Sequence, residues 1–74
     1  MHTILVIDDD DQLRISFCKL LKEENYAVIS AASGEAGIEI VEKNPLDLVI
    51  LDMRLPGING METFKRIKKI DSKL

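Results

Sequence analysis

Ile4-Leu5-Val6-Ile7-Asp8-Asp9 and Leu48-Val49-Ile50-Leu51-Asp52 decide how this chain is read. Each is a run of four apolar residues that ends in acid. Such a run, with no polar alternation, suits a β-strand covered on both faces, as in a parallel sheet. Two strands of this kind ending on one edge of a sheet would gather Asp8, Asp9 and Asp52. Two like charges about 4 Å apart cost about 4 kcal/mol at an effective dielectric of 20. Three carboxylates in one cleft therefore repel unless a hard cation joins them. The repetition reads as a divalent-metal site with a reactive carboxylate beside it.

Outward from these runs the pattern is strand, helix, strand, helix, strand, helix. Thr3–Ile7 is the first strand. Asp10 or Asp11 can cap the helix that follows, and Leu13, Phe17, Leu20 and Leu21 form one apolar stripe along it. That helix should end near Glu24, with Asn25 as its C-terminal turn residue. Tyr26–Ala31, rich in β-formers, is the second strand. Ser33 and Gly34 open a second helix that runs to about Lys43, with Ala36, Ile40 and Val41 on its buried side. Asn44-Pro45 stops it. Asp47–Leu51 is the third strand. A loop punctuated by Pro56, Gly57 and Gly60 leads to a third helix carrying Met61, Phe64, Ile67 and Ile70. The alternation predicts an α/β fold with parallel strands and right-handed crossovers.

The gross numbers narrow the function classes. With 74 residues the chain holds a single domain of marginal stability. A net charge of −3 argues against a general nucleic-acid binder. The single cysteine, Cys18, rules out an internal disulfide and fits a reducing, cytoplasmic setting. No apolar run approaches the roughly 20 residues that span a bilayer, so no membrane role is expected.

Ile4–Arg14, ILVIDDDDQLR, resembles the first strand and acidic pair of response-regulator receiver domains of two-component systems. Asp47–Gly60, DLVILDMRLPGING, resembles their phosphorylation-site strand and the loop after it. Phe64–Leu74, FKRIKKIDSKL, is similar to the third helix of receivers from the sporulation and nitrogen-regulator groups. The combination is the specific signal: an acidic pair, then a distant D-x-x-x-P-x-x-x-G. The resemblance implies that Asp52 is the phosphoacceptor, loaded by a histidine kinase or a phosphotransfer protein. It implies Mg²⁺ as cofactor, held by Asp9 directly, Asp8 chiefly through water, Asp52, and the backbone carbonyl of Arg54. Pro56 and Gly60 match residues that shape the loop. The role implied is that of a phosphoacceptor in a relay, not of an enzyme. Mg²⁺ chemistry suits the donor set, since this ion takes oxygen ligands and bridges carboxylate to phosphate.

The resemblance also sets expectations about what these 74 residues leave out. Receivers resemble the flavodoxin-like order 2-1-3-4-5. The chain reads as a truncated receiver fold of three βα units with order 2-1-3, lacking the fourth and fifth units. With them go a Ser or Thr at the end of the fourth strand and a lysine at the end of the fifth. Thr63 and Lys65 should sit on the third helix and cannot replace them. Losing a preorganised donor can cost ~10²–10³ in rate, so phosphotransfer is expected to be impaired. The third strand would be an open edge, which predicts completion by self-association: a homodimer or an exchanged oligomer through that edge.

Two further readings stand beside this one. The chain could be a structural half-fold that self-assembles without chemistry. It could also be a small phosphohydrolase of the haloacid-dehalogenase type, whose strand-end D-x-D resembles Asp8-Asp9-Asp10, although Gln12 departs from that pattern. Asp10 and Asp11 are read as helix-cap acids, and Cys18 as a packing residue. Lys65, Arg66, Lys68, Lys69 and Lys73 are read as a solvated basic face suited to a helix C-terminus.

Overall fold

Strand and helix alternate as β1 (Thr3–Ile7), α1 (Asp11–Glu23), β2 (Ala27–Ala31), α2 (Gly34–Lys43), β3 (Leu48–Leu51) and α3 (Gly60–Ile70). They are seen in a computed structural model that describes residues 1–55 and 57–74. Pro56, for which the resemblance implies a loop-shaping part, lies outside the described residues.

Each helix starts where a short polar side chain can take an unpaired N–H. Asp10 accepts from Leu13 N–H, Ser33 from Ala36 N–H and Asn59 from Glu62 N–H. Of the two cap acids considered for α1, Asp10 is the one used. Helix α1 ends in a Schellman turn. Asn25 takes φ +70°, its N–H donates to the Lys22 carbonyl at 3.0 Å, and Tyr26 N–H donates to the Leu21 carbonyl at 3.2 Å. That turn occupies Tyr26, so β2 begins one residue later than its β-former content predicts. Likewise β3 begins at Leu48. Asp47 is spent on the start of β1, with its carboxylate accepting Thr3 N–H at 2.7 Å and its own N–H donating to the Thr3 carbonyl at 2.9 Å.

The three strands are parallel in the order β2-β1-β3. Thr3 pairs with Ala27 through to Ile7 with Ala31, and Ile4 pairs with Leu48 through to Ile7 with Leu51. The first crossover steps to one side of β1, and the second returns past it to the other. Right-handed connections then place α1 and α2 on opposite faces of the sheet. Helix α1 packs on β1 and β2, whereas α2 packs on β1, β2 and α3.

The two faces are covered unequally. Leu5, Ile7, Ala31, Val41, Leu55 and Ile67 form the buried core, on the side of α2 and α3. Gly37 lets α2 approach closely, since a Cβ there would collide with the Ile7 side chain. Gly34 does the same against Thr63, which is completely buried on α3 with its hydroxyl donating to the Asn59 carbonyl at 2.9 Å. On the other face α1 has no buried residue. Leu13 is 61% exposed, Phe17 42% and Leu20 57%. The predicted apolar stripe is therefore present, but it stands largely open. No described helix is long and apolar enough to cross a membrane.

Candidate functional site

Register builds the site. Ile7 pairs with Leu51, so the residues that follow, Asp8 and Asp52, leave adjacent strands side by side. Asp52 N–H donates to the Ile7 carbonyl at 2.9 Å, and Asp8 N–H donates to the Ala31 carbonyl at 3.1 Å. Both acids are thus tied to the sheet edge by their backbones. Asp8, Asp9 and Asp52 each offer a carboxylate oxygen within 4.8 Å of the others. Asp8 and Asp52 are half-buried and Asp9 is exposed. The sequence expectation that these three acids converge is met.

The remaining polar geometry is local. Asp10 N–H donates to Asp8 Oδ1 at 2.9 Å, and Arg54 N–H donates to Asp52 Oδ1 at 2.9 Å. Each acid therefore keeps its second oxygen without a donor among the described residues. Asp8, Asp9, Asp10, Leu13, Asp52 and Arg54 line one open cleft. Gly60 N–H reaches the Met53 carbonyl at 3.3 Å. A Cβ at Gly60 would strike Met53 backbone and stand 2.8 Å from the Asp52 carbonyl oxygen. The start of α3 thus rests directly on the backbone that follows Asp52, which only a glycine permits.

The donor set fits a small hard cation. Oxygens sharing Mg²⁺ at 2.0–2.1 Å stand no more than about 4.2 Å apart. A spread of 4.8 Å is close to that, and a water between one acid and the ion would absorb the difference. Among the described residues the cleft is lined by four aspartates with Leu13 and Arg54, and by no thiol or imidazole, the ligand chemistry of Mg²⁺ rather than of a soft metal.

Sequence reasoning missed one participant. Arg14, in the first turn of α1, donates from Nη1 to the Asp8 carbonyl at 2.9 Å and from Nη2 to Asp11 Oδ1 at 2.7 Å. The Asp11-x-x-Arg14 spacing signals the second contact but not the first. Thr63 and Lys65 lie on α3, as anticipated, and neither lines the cleft. The basic run lies on and just after α3, with Arg66 bound to Glu62 at 3.1 Å and Lys68 donating to the Ser72 carbonyl at 3.0 Å. At the opposite end of the sheet, His2 Nδ1 stands 3.5 Å from Asp47. The Thr3 N–H above all, with help from His2, holds the Asp47 carboxyl below its usual range against the opposing effect of desolvation.

Residues 4–74 match the response regulator receiver domain family, and the chain belongs to it. It is 41% identical over 71 residues to sporulation initiation phosphotransferase F of Bacillus subtilis, covering 96% of this chain and 57% of that protein. The fold matches that of response regulator TrrA from Thermotoga maritima, solved in complex with Mg²⁺-BeF. The TM-score is 0.92 at 38% identity, over 97% of this chain and 63% of that one. A structure of histidine kinase ThkA in complex with TrrA matches with a TM-score of 0.88 at 39% identity, over 93% of this chain and 60% of that one. The chain spans 32% to 57% of the first curated relatives it matches. Three βα units in the order β2-β1-β3 are thus the receiver fold in part, and the haloacid-dehalogenase reading has no support left.

Proposed function

We propose that Asp52 is the phosphoacceptor of a two-component relay, with Asp8, Asp9 and the Arg54 carbonyl as its Mg²⁺ ligands. The convergence of Asp8, Asp9 and Asp52 on one sheet edge, in a chain of the receiver family, carries this reading. The Mg²⁺-BeF complex of TrrA supports the cofactor, and the ThkA–TrrA complex supports a histidine kinase as donor. In the transfer, Asp52 Oδ2 attacks phosphorus as the phosphohistidine N–P bond breaks, and the bonding pair stays on the imidazole nitrogen. Arg54 N–H holds Oδ1, which orients the carboxylate for that attack. Bound Mg²⁺ supplies charge compensation for the phosphoryl oxygens.

Residues 1–74 are read as part of a receiver domain, in keeping with their coverage of 63% of TrrA. The described cleft lining holds no lysine, serine or threonine to stabilise the transferred group. That supports slow transfer by these residues alone. Incubation with Mg²⁺ and a small phosphodonor, followed by intact mass measurement, tests the reading. Slow addition of one phosphoryl group, absent in Asp52→Asn, is expected. Incorporation that persists in Asp52→Asn overturns the acceptor assignment, and rapid, near-complete incorporation overturns the impairment.

A second property is proposed for the same 74 residues: self-association through β3. This strand pairs with β1 alone among the described strands, and Leu48 on it is 49% exposed. An edge of that kind is a template for another strand.

A further inference from the structure

We propose that Arg14 is a positioning residue for the metal site, an inference that rests on the Mg²⁺ reading above. The carbonyl of Asp8 and the N–H of Asp9 belong to the same rigid unit. Whatever fixes that carbonyl also restrains the position of the Asp9 Cα, from which its side chain departs. Strand pairing does not do so, because β1 ends at Ile7 and the last inter-strand bonds engage Ile7 C=O and Asp8 N–H. The Asp8 carbonyl is the first one beyond the sheet, and the Arg14 guanidinium takes it at 2.9 Å.

The guanidinium is itself held in place. Arg14 N–H donates to the Asp10 carbonyl at 2.9 Å, inside the first turn of α1. Nη2 is fixed on Asp11 at 2.7 Å, and the side chain is only 15% exposed on a helix that buries no residue. A planar fork can hold two oxygens in fixed relation, which an ammonium cannot do. If Arg14 served only an i,i+3 pair with Asp11, Nη1 would have no reason to turn back across six residues to Asp8. Asp8 is thereby held at three atoms: N–H by Ala31, C=O by Arg14 and Oδ1 by Asp10. Asp9, exposed and with no side-chain hydrogen bond among the described residues, inherits its position from that arrangement.

Charge and position make opposite predictions here. A cation bonded to the Asp8 carbonyl repels Mg²⁺, so its removal should tighten metal binding if only electrostatics mattered. If Arg14 positions the site, removal weakens binding. Mg²⁺ affinity of the 74-residue chain is measured by calorimetry for wild type, Arg14→Ala, Arg14→Lys and Asp11→Asn. Thermal unfolding of each without metal reports any loss of fold. The expected result is a 10–100-fold loss of affinity in both Arg14 variants, the range seen when a group supporting a ligand is lost. Asp11→Asn, which removes the intrahelical pair but not the Asp8 contact, should lose less. Equal or tighter binding by Arg14→Ala overturns the proposal, as does wild-type affinity in a folded Arg14→Lys. Absence of Mg²⁺ binding in wild type overturns the metal-site reading itself and this inference with it.

Discussion

Asp52 N–H donates to the Ile7 carbonyl at 2.9 Å, the last rung of the β1–β3 ladder, and that rung sets the phosphoacceptor candidate level with Asp8. Because a parallel ladder fixes register along its whole length, no separate loop has to find this arrangement. A one-residue slip would turn the Asp52 side chain to the opposite face.

Mg²⁺ should stabilise the fold, since a ligand that binds only the native state adds free energy by mass action. At a hundred times Kd the gain is about 2.7 kcal/mol. For a domain of this size each 1 kcal/mol raises Tm by about 4–8 °C. Differential scanning calorimetry should show that rise in wild type, and Asp9→Asn should lose most of it. An unchanged Tm in saturating Mg²⁺ contradicts the site.

Gly60→Ala should damage both stability and the site. The added methyl meets the backbone of Met53 and the carbonyl of Asp52, neither of which can rotate away. Overpacking of this kind costs about 1–3 kcal/mol. Urea unfolding gives the stability, and Mg²⁺ titration should show weaker binding, because the displaced backbone carries Asp52. A variant that binds like wild type would detach this contact from the site.

Asn25 occupies the left-handed region, where a side chain without a local polar partner costs about 1–2 kcal/mol. Asn25→Ala should therefore destabilise the chain by about 1 kcal/mol, whereas Asn25→Gly should hold or raise its stability. Urea midpoints of the three proteins check this ordering.

Asp47 links the starts of β1 and β3. Its carboxyl lies below the ordinary value of 3.8 in the folded chain, chiefly because it accepts the Thr3 N–H. A depressed folded pKa contributes stability above the unfolded pKa and loses it as pH falls through the folded one. Asp47→Ala should thus lower Tm at pH 6, and the difference should shrink as pH drops below 3.8. A difference constant down to pH 2 would place the effect elsewhere.

Light scattering on residues 1–74 should give the mass of a dimer or larger assembly if the β3 edge pairs with another chain. Leu48→Lys, a charge on that edge, should shift it toward monomer. A monomeric wild type at micromolar concentration overturns the edge account.

Much of the architecture was legible because local signals agreed. Ser33 and Asn44-Pro45 bracket α2, Asn25 closes α1, and the two apolar runs have no helical period. The boundary errors at Tyr26 and Asp47 share one cause. Both residues favour the strand or adjoin it, but each is taken by a hydrogen bond outside the ladder. The weak coverage of α1 was legible only in outline. Periodicity shows which residues share a stripe, and it cannot show how much of that stripe a neighbour covers.

The order of residues alone determined the parallel α/β alternation, the strand-end acids and the family, since these depend on pattern, spacing and the chemistry of side chains. Tertiary structure decided which oxygens face one another. It brought Asp8, Asp9 and Asp52 within 4.8 Å, set Gly60 against the backbone after Asp52, and turned Arg14 back onto the Asp8 carbonyl. Those relations join residues up to 44 positions apart, and only the register of the sheet and the closing of α1 onto it could fix them.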